Sequence, residues 1–177
     1  MARIPTLGDG VFVKSDAVDI SALLLRSAHE QAIQALMVRL SWAIDHGDLV
    51  ALVACLHPDV AFVRPDGQVL QGAQAVRDAY AQRDPERITR HLLSNVLLTW
   101  TSPDRVSAQS MVLLWTGRFS DAPTPAGRPR DPVQKLGEHR DVWALVDERW
   151  CLLQRQSEFV FFCLACFTAG HLFFPFT

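Results

Sequence analysis

The spacing of apolar positions changes character about halfway along the chain. Across residues 20–46, Ile33, Leu36, Met37, Leu40 and Ile44 recur at the period of an amphipathic helix. Gly47 suits the end of that helix, and Asp48 suits the N-cap of a short second helix running to residue 56. His57-Pro58-Asp59 reads as a break. Residues 60–63 and 68–70 flank Pro65-Asp66-Gly67, a hairpin signal, because proline presets φ and glycine accepts a positive one. Residues 72–83 return to helical spacing through Ala73, Val76 and Tyr80, and Asp84-Pro85 ends the run.

From Thr89 onward the period is two. It predicts long strands over 90–100, 105–115, 135–146 and 149–162, with turns at Ser102-Pro103-Asp104 and Asp147-Glu148. Residues 117–132 hold four prolines and two glycines and form a loop long enough to be a lid or an interface segment. The order describes one α+β domain: helices in the first half, a curved antiparallel sheet in the second. We divide the chain into a leader (1–18), a domain (19–162) and an apolar C-terminal tail (163–177) expected to pack on the sheet or on a partner subunit.

Composition adds mainly exclusions. A chain of 177 residues suffices for one real core. A formal net charge of -2, with lysines and arginines scattered, gives no reason to expect nucleic acid as a partner. Residues 159–177 contain no charge and seven phenylalanines, but Gly170, His171 and Pro175 interrupt them, so a membrane span is not expected. No secretory signal is visible at the N-terminus, which implies a cytoplasmic protein. Cys163 and Cys166 form a CxxC between apolar flanks without a second pair, so we read them as buried thiols rather than a zinc or redox site. His91, His139 and Asp45 lack HxH or HxxxH spacing, and no metal or other cofactor is expected.

Several stretches, taken in order, resemble one superfamily. They are Ala43-Ile44-Asp45-His46-Gly47-Asp48, Pro58-Asp59-Val60, Gly72-Ala73-Gln74-Ala75-Val76, Thr89-Arg90-His91-Leu92-Leu93-Ser94-Asn95-Val96, and Gly137-Glu138-His139-Arg140-Asp141 ahead of Asp147-Glu148-Arg149-Trp150. The set, spanning about residues 28–158, resembles the nuclear-transport-factor-2-like superfamily and its SnoaL-like group. The resemblance implies a cone of bent sheet closed by the N-terminal helices, with an apolar pocket inside and a homodimer or homotrimer as the assembly. Relatives include scytalone dehydratase, hexachlorocyclohexane dehydrochlorinase and polyketide cyclases. The small subunits of ring-hydroxylating dioxygenases share the fold without being catalytic, so fold does not by itself assign a reaction.

In the dehydratase and the dehydrochlorinase, an aspartate near the end of the long first helix orients a histidine on the first long strand; Asp45 and His91 match those positions. A histidine in an apolar hollow, its tautomer set by a carboxylate, is a competent base near neutral pH. The expectation is therefore a cofactor-free lyase or isomerase acting on a small hydrophobic, aromatic or polyketide-like molecule, with Asp45 and His91 catalytic. The alternative is a non-catalytic ligand-binding or assembly module. Strand alternation puts Asn95 on the face of His91, with Leu93 and Leu97. His139, with Asp141 and Trp143 on its face, and Arg155 complete the expected substrate-binding set. On a helical wheel Asp45 lies about 120° from the centre of the apolar stripe, which leaves its burial open. The tyrosine preceding the aspartate in scytalone dehydratase is Ile44 here, and the one tyrosine of the chain is Tyr80.

Overall fold

The computed structural model describes residues 19–164. Helix α1 (Ile20–His46) begins where Asp19 accepts a hydrogen bond from the Ala22 amide at 3.1 Å. Its buried stripe is Ile33, Met37, Leu40 and Ile44 with Ser41 and Ala43, which follows the apolar spacing of the sequence. Gly47, at φ 67°, turns the chain in the left-handed region and returns its amide to the Ala43 carbonyl. Asp48 caps α2 (Leu49–Ala54) through the Ala51 amide at 2.9 Å. Strands β1 (Leu56–Val63) and β2 (Val69–Gln71) flank the Pro65-Asp66-Gly67 turn, where Gly67 has φ 84°. Helix α3 (Ala73–Ala81) follows, then β3 (Arg87–Ser102), β4 (Arg105–Arg118), β5 (Val133–Val146) and β6 (Arg149–Leu164).

The strands form one six-stranded curved sheet in the order β2-β1-β6-β5-β4-β3. The four long strands pair antiparallel, as their alternation implies. One contact departs from that pattern: β1 runs parallel to β6, which makes the sheet mixed. The break expected at His57-Pro58-Asp59 is instead an irregularity within β1, where the register against β6 shifts between Leu56 and Ala61. Residues 119–132 are bonded back onto β4 where the Asp131 amide donates to Thr116 O at 2.8 Å, and they are tied within themselves where Arg128 donates to Phe119 O at 3.0 Å.

One face of the sheet packs on the helices around Trp143, Leu152, Val60, Val76 and Val106, each fully buried. Val112 of β4 and Gly137 of β5 extend that face toward the open end. A methyl on Gly137 would meet the Glu158 carbonyl at 2.6 Å, so only glycine lets β6 approach there. The expectations for the leader and for Cys166 and most of the apolar tail fall outside the described residues, whereas Cys163, expected to be buried, is exposed near the end of β6. Among the described residues no helix is long and apolar enough to cross a membrane.

Candidate active site

Asp45 sits in the last turn of α1, one residue after buried Ile44, and its side chain is only 6% exposed. The start of β3 covers it. Its Oδ2 accepts the His91 amide at 2.8 Å, and its Oδ1 accepts the Thr89 hydroxyl at 2.7 Å and meets His91 Nδ1 at 2.5 Å. Arg83 closes the group by donating to the Ile44 carbonyl at 3.0 Å and to Thr89 Oγ1 at 3.2 Å. Burial by itself raises the Asp45 pKa. The ring and amide of His91 and the Thr89 hydroxyl outweigh it, and the carboxyl titrates below its ordinary value. It therefore stays ionised at neutral pH, and Nδ1 is the ring nitrogen that carries the proton it accepts. In the neutral form of the ring the lone pair falls on Nε2, which has no partner among the described residues.

His91 lines a cavity of about 280 Å³ between the sheet, α3 and the β1–β2 turn. Ile44, Phe62, Ala79, Val112, Leu114 and Phe159 supply its apolar wall; Tyr80, Thr89, His139 and Ser157 supply neutral polar groups; Arg64, Arg83, Arg87, Lys135 and Asp66 supply charge. Tyr80 stacks edge-on against Phe62 with ring centroids 6.2 Å apart, and burial pushes its phenol pKa up, so the hydroxyl remains a donor.

The other expected site residues divide. His139 lines the cavity, hydrogen-bonded through Nδ1 to Ser157 Oγ at 2.9 Å. Burial, aided by the charges of Arg155 and His91, pushes its pKa down to about 2, so the ring is neutral. Arg155 and Trp143 do not line the cavity. Arg155 is buried and grips Asp141 through two bonds, at 2.8 and 2.6 Å, across the β5–β6 pairing of those two residues. Trp143 is fully buried in the core, its indole N–H without a partner among the described residues.

Asn95 corrects the alternation. A bulge between Ser94 and Leu97 inserts an extra residue, and Asn95 takes φ 51°. Beyond it the faces exchange: Val96, Leu98 and Trp100 turn inward, while Asn95 and Leu97 are exposed. Asn95 therefore reaches Met111 Sδ on the outer face, at 3.3 Å, rather than the cavity. Thr89 and Arg87 were legible as face-mates of His91 by the same alternation, upstream of the bulge. Tyr80, Arg64 and Lys135 come from distant segments, and no local pattern marks them.

Comparison with known proteins agrees with this architecture. Residues 26–156 match the model of the SnoaL-like domain. The chain belongs to that family. Among solved structures it is similar to a hexachlorocyclohexane dehydrochlorinase, LinA-type3, from Novosphingobium barchaimii LL02 (TM-score 0.68, 18% identity, 86% of this chain and 98% of that one). A candidate scytalone dehydratase from Novosphingobium aromaticivorans DSM 12444 is also similar (0.66, 19%, 85% and 93%). So is a candidate aromatic ring hydroxylase from Novosphingobium aromaticivorans (0.63, 19%, 76% and 91%). At these identities the likeness shows the SnoaL-like fold. No curated protein matches the chain in sequence.

The neutral His139 has a measurable consequence. Its folded pKa lies below the ordinary 6.5, so between pH 6.5 and about 2 the unfolded chain binds a proton that the native chain refuses. Stability should then rise with pH across that window and fall on acidification, by up to about 1.4 kcal/mol per unit. Below its ordinary value of 3.8, Asp45 adds a loss of the same sign. Urea unfolding between pH 7 and 5 should show the slope, and His139→Gln should flatten it. An unchanged slope in that variant would assign the acid sensitivity elsewhere.

Proposed function

We propose that this SnoaL-like protein is a lyase or isomerase of dehydratase, cyclase or dehydrohalogenase type. It removes a proton from carbon in a small hydrophobic, aromatic or polyketide-like molecule, without a cofactor. One observation carries the reading: the 2.5 Å contact between His91 Nδ1 and the buried Asp45 carboxylate, on the wall of an accessible cavity. His91 Nε2 takes the proton, and Asp45 stabilises the imidazolium that forms. The C–H electron pair becomes a new double bond, either expelling a leaving group from the next carbon or shifting onto a carbonyl to give an enolate. In a lyase the leaving group departs with its electron pair; in an isomerase the imidazolium returns the proton to a different carbon. Tyr80, a protonated phenol on the same wall, is suited to donate to the oxygen where negative charge develops.

A second reading, an assembly module in the manner of a non-catalytic subunit, draws on the outer face of the sheet. There Leu92, Leu113, Leu136 and Phe161 stand in register across β3, β4, β5 and β6, and Leu92 and Phe161 are 53% and 66% exposed. Such a row favours a subunit contact, which a homodimer or homotrimer would supply equally well.

The test is deuterium incorporation from heavy water, followed by NMR, into aromatic hydroxyketones and polyketide fragments selected by thermal shift. Protein-dependent exchange or elimination at a carbon next to a carbonyl or leaving group is expected. Ligands that bind in the cavity yet never exchange or eliminate would favour the second reading.

A further inference from the structure

The charge around the cavity is unbalanced. Arg64, Arg83, Arg87 and Lys135 line it, against Asp66 and the Asp45 carboxylate behind His91, in a chain whose formal net charge is -2. Among the described residues none of these four cations makes an ion pair. Arg64 donates to the Gln68 amide oxygen at 2.9 Å, and Arg83 donates to the neutral oxygens of Ile44 and Thr89. Lys135 Nζ lies 4.6 Å over the Phe159 ring. Asp84, close to Arg87 in sequence, is taken by Arg118 at 3.0 Å. Like charges gathered at one opening repel each other, and an anion entering it relieves that repulsion and is drawn in by the same field.

Register fixes where the anion would sit. Arg87 shares the inner face of β3 with Thr89 and His91, four residues along, or roughly 13 Å at strand spacing. Lys135 lies in the cross-strand row His91–Leu114–Lys135, two strands away, or roughly 10 Å between backbones. Both side chains can therefore reach one end of a molecule whose other end touches the imidazole. Phe62, Val112, Leu114 and Phe159 cover the space between.

We infer that the cavity takes an anion: a small apolar or aromatic molecule carrying a carboxylate, held at its charged end by Arg87 and Lys135 with its acidic carbon at His91. This rests on the proton-abstraction reading above and narrows its substrate class. The cations orient the molecule and neutralise its charge while a second negative charge develops at the reacting end.

The inference is tested by calorimetric titration of the full chain with phenylpropanoate and its uncharged amide, which share shape and differ in charge. The carboxylate should bind on the order of tenfold more tightly than the amide. That preference should shrink to within about twofold in the Arg87→Gln/Lys135→Gln double variant and survive intact in His91→Gln. Added sodium chloride should weaken the carboxylate and leave the amide unchanged. Equal affinity for acid and amide, no binding of either, or a preference untouched in the double variant would each overturn the inference. Because the readout is binding, its failure leaves the role of His91 standing. Conversely, an inactive His91 chemistry with an intact anion preference would overturn the base and keep the site.

Discussion

Replacing His91 with alanine should lower turnover by roughly 10² to 10⁴, the usual contribution of a positioned general base, and should cost about 1–2 kcal/mol of stability, because the buried Asp45 carboxylate loses the ring that helps to offset its burial. The side chain makes one hydrogen bond, to Asp45, and borders a cavity rather than the packed core. Its amide, which also binds Asp45, survives the substitution. Added imidazole should restore part of the rate in the alanine variant by occupying the vacated space. Asp45→Asn should be comparably inactive for a different reason. An amide can present an N–H where the ring N–H must be accepted, which removes the force selecting the productive tautomer. It also disturbs the Thr89 and His91 amide bonds, so a stability loss of about 1–3 kcal/mol should accompany it. Both variants lose rate and some stability, and the alanine variant is the one that added imidazole should rescue. Wild-type turnover in both, on a substrate the native chain converts, would remove the proposed mechanism.

The second large effect concerns folding. Arg155 and Asp141 have side chains 2% and 0% exposed, locked by two short bonds. Their mutual attraction offsets the desolvation of two ions, and removing either partner strands the other charge in the interior. Arg155→Met should therefore destabilise by about 3–5 kcal/mol, and Asp141→Asn by a comparable amount, because the guanidinium it leaves behind cannot shed its charge. For a domain of this size the first loss corresponds to a fall in melting temperature of roughly 6–20 °C. The double variant Arg155→Met/Asp141→Leu should recover most of it, since a buried pair replaced by apolar groups of similar volume is often neutral. Differential scanning calorimetry of the native protein, the single variants Arg155→Met, Asp141→Asn and Asp141→Leu, and the double variant decides the matter. A double variant as unstable as the sum of the singles would mean that the ions contribute more than each other's neutralisation.

These two predictions show how the sequence carried part of the site and lost the rest. Asp45 and His91 were legible from their place in an ordered set of motifs, although the helical wheel left Asp45 uncertain. The wheel considers one helix; what buries Asp45 is the first turn of a strand arriving from 44 residues away, with Thr89 and the His91 amide. Arg155 was legible as a substrate-binding candidate, a cation that could meet an anionic group. That the anion is Asp141 rather than a ligand follows from the β5–β6 register, which strand alternation narrows but does not set.

The sequence by itself determined the elements, because helical and strand periodicity are properties of neighbouring residues and the hydrophobic effect reads them locally. It determined the capping of α1 and α2 by Asp19 and Asp48 for the same reason. The tertiary structure alone decided three matters. One backbone angle at Asn95 exchanged the faces of half a strand. Parallel pairing of β1 with β6 made the sheet mixed. Four cations from three separate segments were gathered around one cavity. Each depends on atoms far apart in the chain, whose separation is set by sheet register and helix docking rather than by any local preference.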